Sequence, residues 1–349
     1  MRTKTVRIDV NDTAHPSIAR AAEIIRSGGL VVFPTETVYG LGADGTNPTA
    51  AEKIYGAKGR PADNPLIIHI ADPVDAEKYT YTNEVYYRLA EQFMPGPITV
   101  IMRAKDAVAL NTRAGLPTVA VRCPRTPIAR ELIRLSGVPI AAPSANLSGS
   151  PSPTCAKHVI DDMMERVDMI IDGGDSDIGV ESTIVKIEDD GSLTLLRPGA
   201  VTLDELAAVC GEVSVAEAVL SQLKDGEAVL SPGMKYKHYA PKTPLVLLDG
   251  DSDGRFLYTK GCKNTTAVLC YAEEYGRYAE LLGERLVFNL GASSDKFSHA
   301  KKLFYYLREA DTLGADQILA PLPSLDGMGM ALYNRMIRAA AHKIIKTGE

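Results

Sequence analysis

A chain of 349 residues with a formal net charge of −6 is long enough for two domains, and its acidity argues against broad, non-specific binding to nucleic acid. Hydrophobic residues make up 45% and charged residues 23%, which is typical of a globular protein with a sizeable core. Five scattered cysteines without a C-x-x-C pair form neither a disulfide framework nor a zinc site, and no apolar run is long enough to cross a membrane. With no signal-peptide core at the N-terminus, we expect a cytoplasmic protein.

The first part of the chain alternates predicted helices and strands. Apolar spacing and turn residues predict helices at 16–27, 47–54, 83–93, 127–135, 156–167 and 202–209, and strands at 30–33, 66–70, 98–102, 118–122, 139–142, 169–172, 182–187 and 192–196. Residues 35–42 contain many hydroxyl groups and glycines, so we predict a loop leaving a strand end. Residues 40–45 match G-x-G-x-x-G, but 34–39 separate them from the preceding strand, so we do not predict a dinucleotide site.

A second, smaller α/β domain with a largely parallel sheet is predicted after the pattern weakens at residue 211. Its predicted strands lie at 244–248, 266–270, 286–289 and 317–319, with the clearest helices at 295–307 and 328–345. The predicted division is an N-terminal domain at 1–212, a linker at 213–242 and a C-terminal domain at 243–349. Residues 231–241 hold two tyrosines, a histidine and two lysines framed by prolines. Such a segment is either an aromatic linker packed on a domain surface or a functional element, and both interpretations stay open.

A predicted loop at 55–65 places Lys58 and Arg60 one residue apart, directly before the strand at 66–70. Glycines allow close approach of a ligand to the backbone, and prolines stiffen the exit from the loop. A cationic pair on such a loop suits an anionic ligand, most plausibly phosphate. An isolated K-x-R is more often a solvated turn, so the interpretation depends on the residues at other strand ends.

Polar side chains also cluster at other strand ends: Thr35, Thr37 and Tyr39; Ser144 and Asn146; Glu181, Ser182 and Thr183; and Arg197. Arg122 interrupts an apolar strand, so it needs an anionic partner, either in a structural salt bridge or in a ligand carboxylate. His69 is by default a buried core histidine, and Glu36 and Glu181 are acid/base candidates that spacing alone does not support. Cations and hydroxyls without a thiol or a metal-ligand cluster favour phosphoryl or nucleotidyl chemistry by positioning and charge neutralisation.

These motifs, in this order, resemble the YrdC-type family. The resemblance rests on K-x-R at 58–60, S-x-N at 144–146 and the blocks at 34–42, 95–99, 121–124 and 196–199. The segment 231–241 and the trailing domain resemble the long, two-domain form of the threonylcarbamoyl-AMP synthases. The resemblance implies an α/β fold with an N-terminal YrdC-like twisted mixed sheet and helices, and a smaller Rossmann-like C-terminal α/β domain.

The resemblance also implies a reaction, in which L-threonine, bicarbonate and ATP give threonylcarbamoyl-adenylate and pyrophosphate. The product would feed a tRNA modification through a separate threonylcarbamoyl transferase, and direct contact with tRNA is only weakly implied. Mg²⁺ would accompany ATP, without an identified protein ligand. The implied catalytic and triphosphate-binding residues are Lys58, Arg60, Ser144 and Asn146, with Arg197 near the nucleotide. The implied threonine-binding residues are Thr35, His69, Thr118, Arg122 and Ser182. The implied lid over the site is Tyr236, Lys237 or Tyr239.

Two other functional classes remain open from the sequence. One is an RNA-binding module in ribosome or tRNA maturation, against which the acidic composition and the lack of an aromatic RNA-binding motif count. The other is a carbamoyl-transfer enzyme like the YrdC-like part of hydrogenase-maturation proteins. That class would carry acylphosphatase and zinc-finger segments, and neither is visible in this sequence.

Overall fold

The structure, a computed structural model, divides into two compact units. It describes residues 2–59, 61, 64–221, 239–262 and 265–348. The first unit comprises residues 1–148 and 153–235, and the second comprises 149–152 and 236–349. The predicted two-domain organisation is therefore present, and the short segment 149–152 belongs to the second unit.

The first unit is built on one mixed sheet flanked by helices. Its helices are α1 (Pro16–Arg26), α2 (Pro48–Lys58), α3 (Glu84–Phe93), α4 (Pro127–Ser136), α5 (Ala156–Met163) and α6 (Leu203–Cys210), with 3-10 turns at Pro73–Lys78 and Glu217–Val219. Its strands are β1 (Lys4–Arg7), β2 (Val31–Phe33), β3 (Gly40–Asp44), β4 (Ile67–His69), β5 (Ile98–Arg103), β6 (Thr118–Arg122), β7 (Ile140–Ala141), β8 (Met169–Asp172), β9 (Thr183–Ile187), β10 (Leu193–Arg197) and β11 (Val213–Val215). The described strands follow the order β1-β8-β2-β3-β7-β4-β6-β5-β9-β10-β11 and pair in both directions. This arrangement confirms the expected mixed sheet.

Local signals account for most of these elements. The side chain of Asn47 accepts hydrogen bonds from two backbone amides at the start of α2, and Gly59 ends that helix with a left-handed φ of 61°. The predicted capping box at the start of α6 is also present, with Thr202 and Glu205 bonding in both directions. Helices α1 and α4 bury their apolar faces against β2, β7 and β8, which makes one hydrophobic core of the unit.

Three local predictions for the first unit need correction. Residues 40–44 form strand β3, antiparallel to β2, where a loop was expected. Glycine is needed there because a Cβ on Gly42 would lie 2.7 Å from Ile140 and 2.8 Å from Phe33. Lys58 lies in the last turn of α2 rather than in a loop. The predicted linker begins at 213, whereas β11 pairs with β10 and extends the first sheet.

The second unit is a smaller, all-parallel sheet with helices. Its strands are β12 (Leu245–Asp249), β13 (Thr266–Cys270), β14 (Val287–Asn289), β15 (Gln317–Pro321) and β16 (Ile344–Lys346). Its helices are α7 (Ser252–Lys260), α8 (Ala272–Leu282), α9 (Lys296–Asp311) and α10 (Met328–Ala339), with a 3-10 turn at Glu284–Leu286. The described strands are ordered β14-β13-β15-β12-β16, and every pair is parallel. The helix expected at 328–345 was predicted too long, since its last residues form β16 beside β12.

Among the described residues, no helix combines the length and hydrophobicity needed to span a membrane.

Candidate active site

The connection between β2 and β3, residues 34–39, joins the segments that carry the predicted site residues. We call it the β2–β3 loop. Its Tyr39 carbonyl accepts a 2.8 Å hydrogen bond from the amide of Ala145, in the S-x-N segment. Its Glu36 carboxylate binds Arg122 on β6, and the Glu36 carbonyl accepts from the amide of Ile178, in the segment that leads to Ser182. One loop therefore links three groups of polar residues that are distant in the sequence.

The first group contains Lys58, Ser144 and Asn146. Lys58 is 3% exposed, and its ammonium donates to the carbonyl oxygens of Ser144 and Asn146, the latter at 2.6 Å, and to Asn146 Oδ1 at 3.3 Å. The Ser144 hydroxyl donates to the same amide oxygen. The K-x-R and S-x-N motifs thus meet at Lys58, as expected from their pairing, whereas Arg60 lies outside the described residues.

Burial of Lys58 requires these contacts. Removing an ammonium from water costs several kcal/mol, and charge-assisted hydrogen bonds to fixed oxygen atoms offset part of that cost. The amine is held rigidly at the end of α2, next to a hydroxyl and an amide. All three N–H bonds of the ammonium have acceptors here, so Lys58 offers a phosphate group a fixed positive charge rather than a free hydrogen-bond donor.

The second group contains Arg122, Glu36 and His69. Arg122 is 4% exposed at the end of β6, and its Nη2 donates to Glu36 Oε1 at 2.7 Å. The Nε of Arg122 is buried and has no hydrogen-bond partner among the residues that the structure describes. The salt-bridge alternative predicted for Arg122 is therefore present, and the Nε–H has no acceptor among the described residues.

Glu36 is ionised in this setting. Burial alone would raise the pKa of its carboxyl, but the charge of Arg122 and the hydrogen bonds from Arg122 and from the Arg125 amide lower it, so the pKa lies below its ordinary value of 4.5. Both carboxylate oxygens have partners, because Oε2 accepts from the Arg125 amide at 3.1 Å and from the Thr126 hydroxyl at 3.3 Å. Sequence spacing alone did not support a role for this glutamate.

His69 lies beside Arg122 on the neighbouring parallel strand β4. Burial lowers the pKa of its imidazole most, and the positive charge of Arg122 lowers it further, from 6.5 to about 3. The ring is therefore neutral at working pH. Its Nδ1 lies 3.3 Å from the carbonyl oxygen of Ile140. A carbonyl only accepts, so Nδ1 carries the proton and Nε2 is an acceptor, which suits a donating hydroxyl.

The third group contains Ser182, Arg197 and Thr99, all buried. Arg197 donates from Nε to the Ser182 carbonyl at 3.1 Å and from Nη2 to the Ser182 hydroxyl at 3.2 Å. The hydroxyls of Ser182 and Thr99 lie 2.7 Å apart. Sequence reasoning missed Thr99, although a hydroxyl in an otherwise apolar strand was a usable signal.

The other two residues predicted to bind threonine, Thr35 and Thr118, do not lie in the same local environment. The Thr35 hydroxyl donates to the Val38 carbonyl at 2.6 Å, within the β2–β3 loop. Thr118 begins β6, opposite Arg103, four residues before Arg122. At about 3.3 Å per residue, roughly 13 Å of strand separates the two positions. The structure therefore does not bring Thr118 to Arg122.

The predicted lid is only partly described, since Tyr236 and Lys237 lie outside the described residues. Tyr239 is buried in the second unit, where its ring stacks on Phe304 with centroids 5.4 Å apart. The guanidinium of Arg335 lies 5.5 Å from the centre of the same ring. This packing gives Tyr239 a structural role in that unit and does not support its assignment to a lid.

A magnesium ion could be accommodated here only as a companion of the triphosphate. Within the described part of the chain, no group of three or more His, Cys, Asp or Glu side chains could hold a metal ion. The hydroxyl of Ser144 and the amide oxygen of Asn146 are hard but uncharged donors. The amide oxygen of Asn146 already accepts from the Lys58 ammonium and the Ser144 hydroxyl, so these residues fit a hydrated Mg²⁺ carried by the triphosphate rather than an ion that they bind directly.

Comparison with known proteins identifies relatives over the whole chain. Residues 23–199 match a family model described as telomere recombination (Sua5, YciO and YrdC), and residues 201–341 match the C-terminal domain of threonylcarbamoyl-AMP synthase. The threonylcarbamoyl-AMP synthase of Bacillus subtilis is 43% identical, over 99% of this chain and 100% of the relative. That of Pyrococcus abyssi is 41% identical, over 98% and 99%. The solved structure of Pyrococcus abyssi Sua5 complexed with L-threonine superposes with a TM-score of 0.88 at 40% identity, covering 100% of both chains.

Proposed function

Since this chain belongs to the two-domain threonylcarbamoyl-AMP synthase family, we propose that it converts L-threonine, bicarbonate and ATP into threonylcarbamoyl-adenylate and pyrophosphate. The reaction makes the chain a nucleotidyltransferase that acts in the first step of the threonylcarbamoyl-adenosine modification of tRNA. The family relationship supplies the reaction, and the geometry of the first unit supports the residue roles proposed below.

The proposed threonine-binding subsite rests on one observation. The buried Nε of Arg122 lacks a partner among the described residues. A carboxylate bound there would receive a charge-assisted hydrogen bond from a group already removed from water. The acceptor nitrogen of His69 would receive the threonine hydroxyl. Ser182 and Thr35 would complete the polar wall of this subsite.

The ATP subsite is assigned to Lys58, Ser144 and Asn146, together with Arg60, which follows Lys58 by two residues in the sequence. Lys58 would offset the charge that develops on the leaving pyrophosphate, and Ser144 and Asn146 would hold phosphate oxygens. Arg197 would lie near the nucleotide. Mg²⁺ bound with ATP would supply further neutralisation of the triphosphate charge.

The chemistry itself needs few protein groups. The amine of threonine takes up bicarbonate as a carbamate and releases water, and a carbamate oxygen then attacks the α-phosphorus of ATP. A new P–O bond forms as the bond to the pyrophosphate leaving group breaks. Because the carbamate is already an anion, the protein contributes mainly alignment and charge stabilisation.

The labile adenylate would pass to a separate threonylcarbamoyl transferase, and tRNA would be met there rather than on this chain. A cytoplasmic location fits this role. It is supported by the five cysteines, all of which are free thiols.

Pyrophosphate release from ATP tests the proposed reaction. Release should require both L-threonine and bicarbonate, and the adenylate should be detectable by mass spectrometry. Omission of each substrate in turn serves as the control. Pyrophosphate release that continues at the same rate without threonine would contradict the proposal.

A further inference from the structure

Glu36 occupies a buried position between β6 and the segment that enters α4. It is 3% exposed, and one carboxylate oxygen accepts from Nη2 of Arg122 at 2.7 Å. The other accepts from the amide of Arg125 and the hydroxyl of Thr126, the N-cap residue of α4. The carboxylate thus connects three parts of the first unit: the β2–β3 loop, a central strand and a helix start.

The backbone on both sides of this carboxylate is also fixed. The Glu36 carbonyl accepts a 2.8 Å hydrogen bond from the amide of Ile178, and the Thr37 carbonyl accepts a 3.1 Å bond from Gly179. A side chain anchored in this way has little freedom to turn. It can therefore hold a partner in one orientation, as supporting residues of binding sites do.

We propose that Glu36 is a positioning residue for the amino-acid substrate: it holds Arg122 through Nη2 and so fixes the guanidinium with its unpaired Nε–H available to the substrate carboxylate. The inference rests on the proposed function, because it takes L-threonine as the ligand of Arg122. An arginine side chain has many rotamers, and its planar guanidinium recognises a carboxylate only in a defined orientation. Glu36 removes that freedom before the substrate arrives.

The contacts favour positioning over acid/base catalysis. A general base needs a free carboxylate oxygen within reach of the proton that it removes. Both oxygens of Glu36 already accept hydrogen bonds, one of them from a guanidinium. The carboxylate is therefore committed to its partners, and it acts on the substrate through Arg122.

The test is Glu36→Gln, which keeps the shape of the side chain but replaces one acceptor oxygen by a donor. Steady-state pyrophosphate release should show KM for L-threonine raised about tenfold or more, with kcat at saturating threonine and KM for ATP changed less than about threefold. Glu36→Asp keeps the charge but withdraws it from Arg122, and should raise the same KM. It also serves as the second variant if Glu36→Gln does not fold.

A matched control lies in the second unit, where buried Glu274 pairs with Arg255. Glu274→Gln removes the same charge from a similar pair, and should leave KM for threonine unchanged. A double variant, Glu36→Gln with Arg122→Lys, should resemble Arg122→Lys alone, because Glu36 acts through Arg122.

The outcomes separate the two proposals. If the wild-type protein releases pyrophosphate without threonine, the proposed function fails. If wild-type release depends on threonine but both Glu36 variants keep a normal KM for it, only the positioning role is overturned. The positioning role would also be overturned if the two substitutions raised KM for threonine independently, so that their effects multiplied in the double variant.

Discussion

The two units of this protein treat buried charge differently. Among the described residues, the buried Lys, Arg, Asp and Glu side chains of the first unit are Glu36, Asp44, Lys58, Arg122, Glu181 and Arg197, and those of the second are Glu274 and Arg335. Each buried ion costs several kcal/mol unless it is paired and hydrogen-bonded. Buried charges are therefore expected to accumulate where a ligand interacts with them. The first unit, which has more of these side chains, is the unit that contains the proposed ligand site.

Two Glu–Arg pairs that contain a buried glutamate show the difference most directly. In the first unit, Arg122 binds Glu36 through Nη2 and keeps a buried Nε without a partner among the described residues. In the second unit, Arg255 binds Glu274, and its guanidinium also lies 5.8 Å from the ring centre of Tyr271. The pair in the first unit would serve the proposed ligand site, whereas the pair in the second unit joins helix α7 to helix α8.

The largest expected effect concerns the buried lysine. Lys58→Met should lower pyrophosphate release by about 100-fold or more, because it removes a fixed cation from the triphosphate site. The counterpart is Lys302 in the second unit, whose ammonium donates to the Asn289 carbonyl at 3.2 Å. Lys302→Met should keep activity within about twofold. Equal losses in the two variants would show that Lys58 is structural.

The second prediction compares a substitution of Arg122 with the same substitution of Arg255. Arg122→Lys should raise KM for L-threonine by about 30-fold, because lysine lacks the planar donor set that serves Glu36 and a carboxylate together. Arg255→Lys should leave that KM unchanged and lower the free energy of unfolding by about 1 kcal/mol. Substrate titrations and urea unfolding of both variants measure this. A raised KM for L-threonine in Arg255→Lys would contradict the proposed difference between the two arginines.

A pH effect compares His69 with His299 of the second unit, since burial lowers the pKa of both imidazoles. Between pH 6.5 and about 3 the unfolded chain binds a proton at His69 that the folded protein does not bind. Stability should therefore fall as the pH drops below 6.5, by up to about 1.4 kcal/mol per pH unit.

Urea unfolding at stepped pH measures this slope. His69→Asn should flatten it between pH 6.5 and 5, and His299→Asn should flatten it less. A wild-type slope that persists in His69→Asn would show that His69 does not cause the pH dependence of stability.

The smallest effect compares two glycines. Gly42→Ala in β3 should destabilise the first unit by at least about 1 kcal/mol, because the new Cβ would meet Phe33 and Ile140. Gly276→Ala in α8 has no atom within 4 Å of the new Cβ and should stabilise the second unit by about 0.5–1 kcal/mol. Thermal unfolding of the two variants provides the measurement. Stabilisation by Gly42→Ala would show that β3 is not tightly packed.

Much of the fold was predictable because its signals are local. The Asn47 cap, the Thr202 capping box and the Gly59 stop act through neighbours within a few residues, so periodicity and cap residues locate the helices. Strand β3 was missed because its glycines are required by side chains from distant strands. Strand β16 was missed because the residues that follow α10 carry no local signal that distinguishes a strand from a continuation of the helix.

The sequence by itself determined the two-domain α/β organisation and the set of polar residues from which a site could be built. Which of those residues meet was decided only by the tertiary structure. The β2–β3 loop brings Glu36 to Arg122, and the end of α2 brings Lys58 to Ser144 and Asn146. Thr118 and Arg122 lie at opposite ends of extended strand β6, which keeps their side chains apart. Secondary structure follows from interactions between near neighbours, whereas a binding site depends on pairing and burial between strands far apart in the chain.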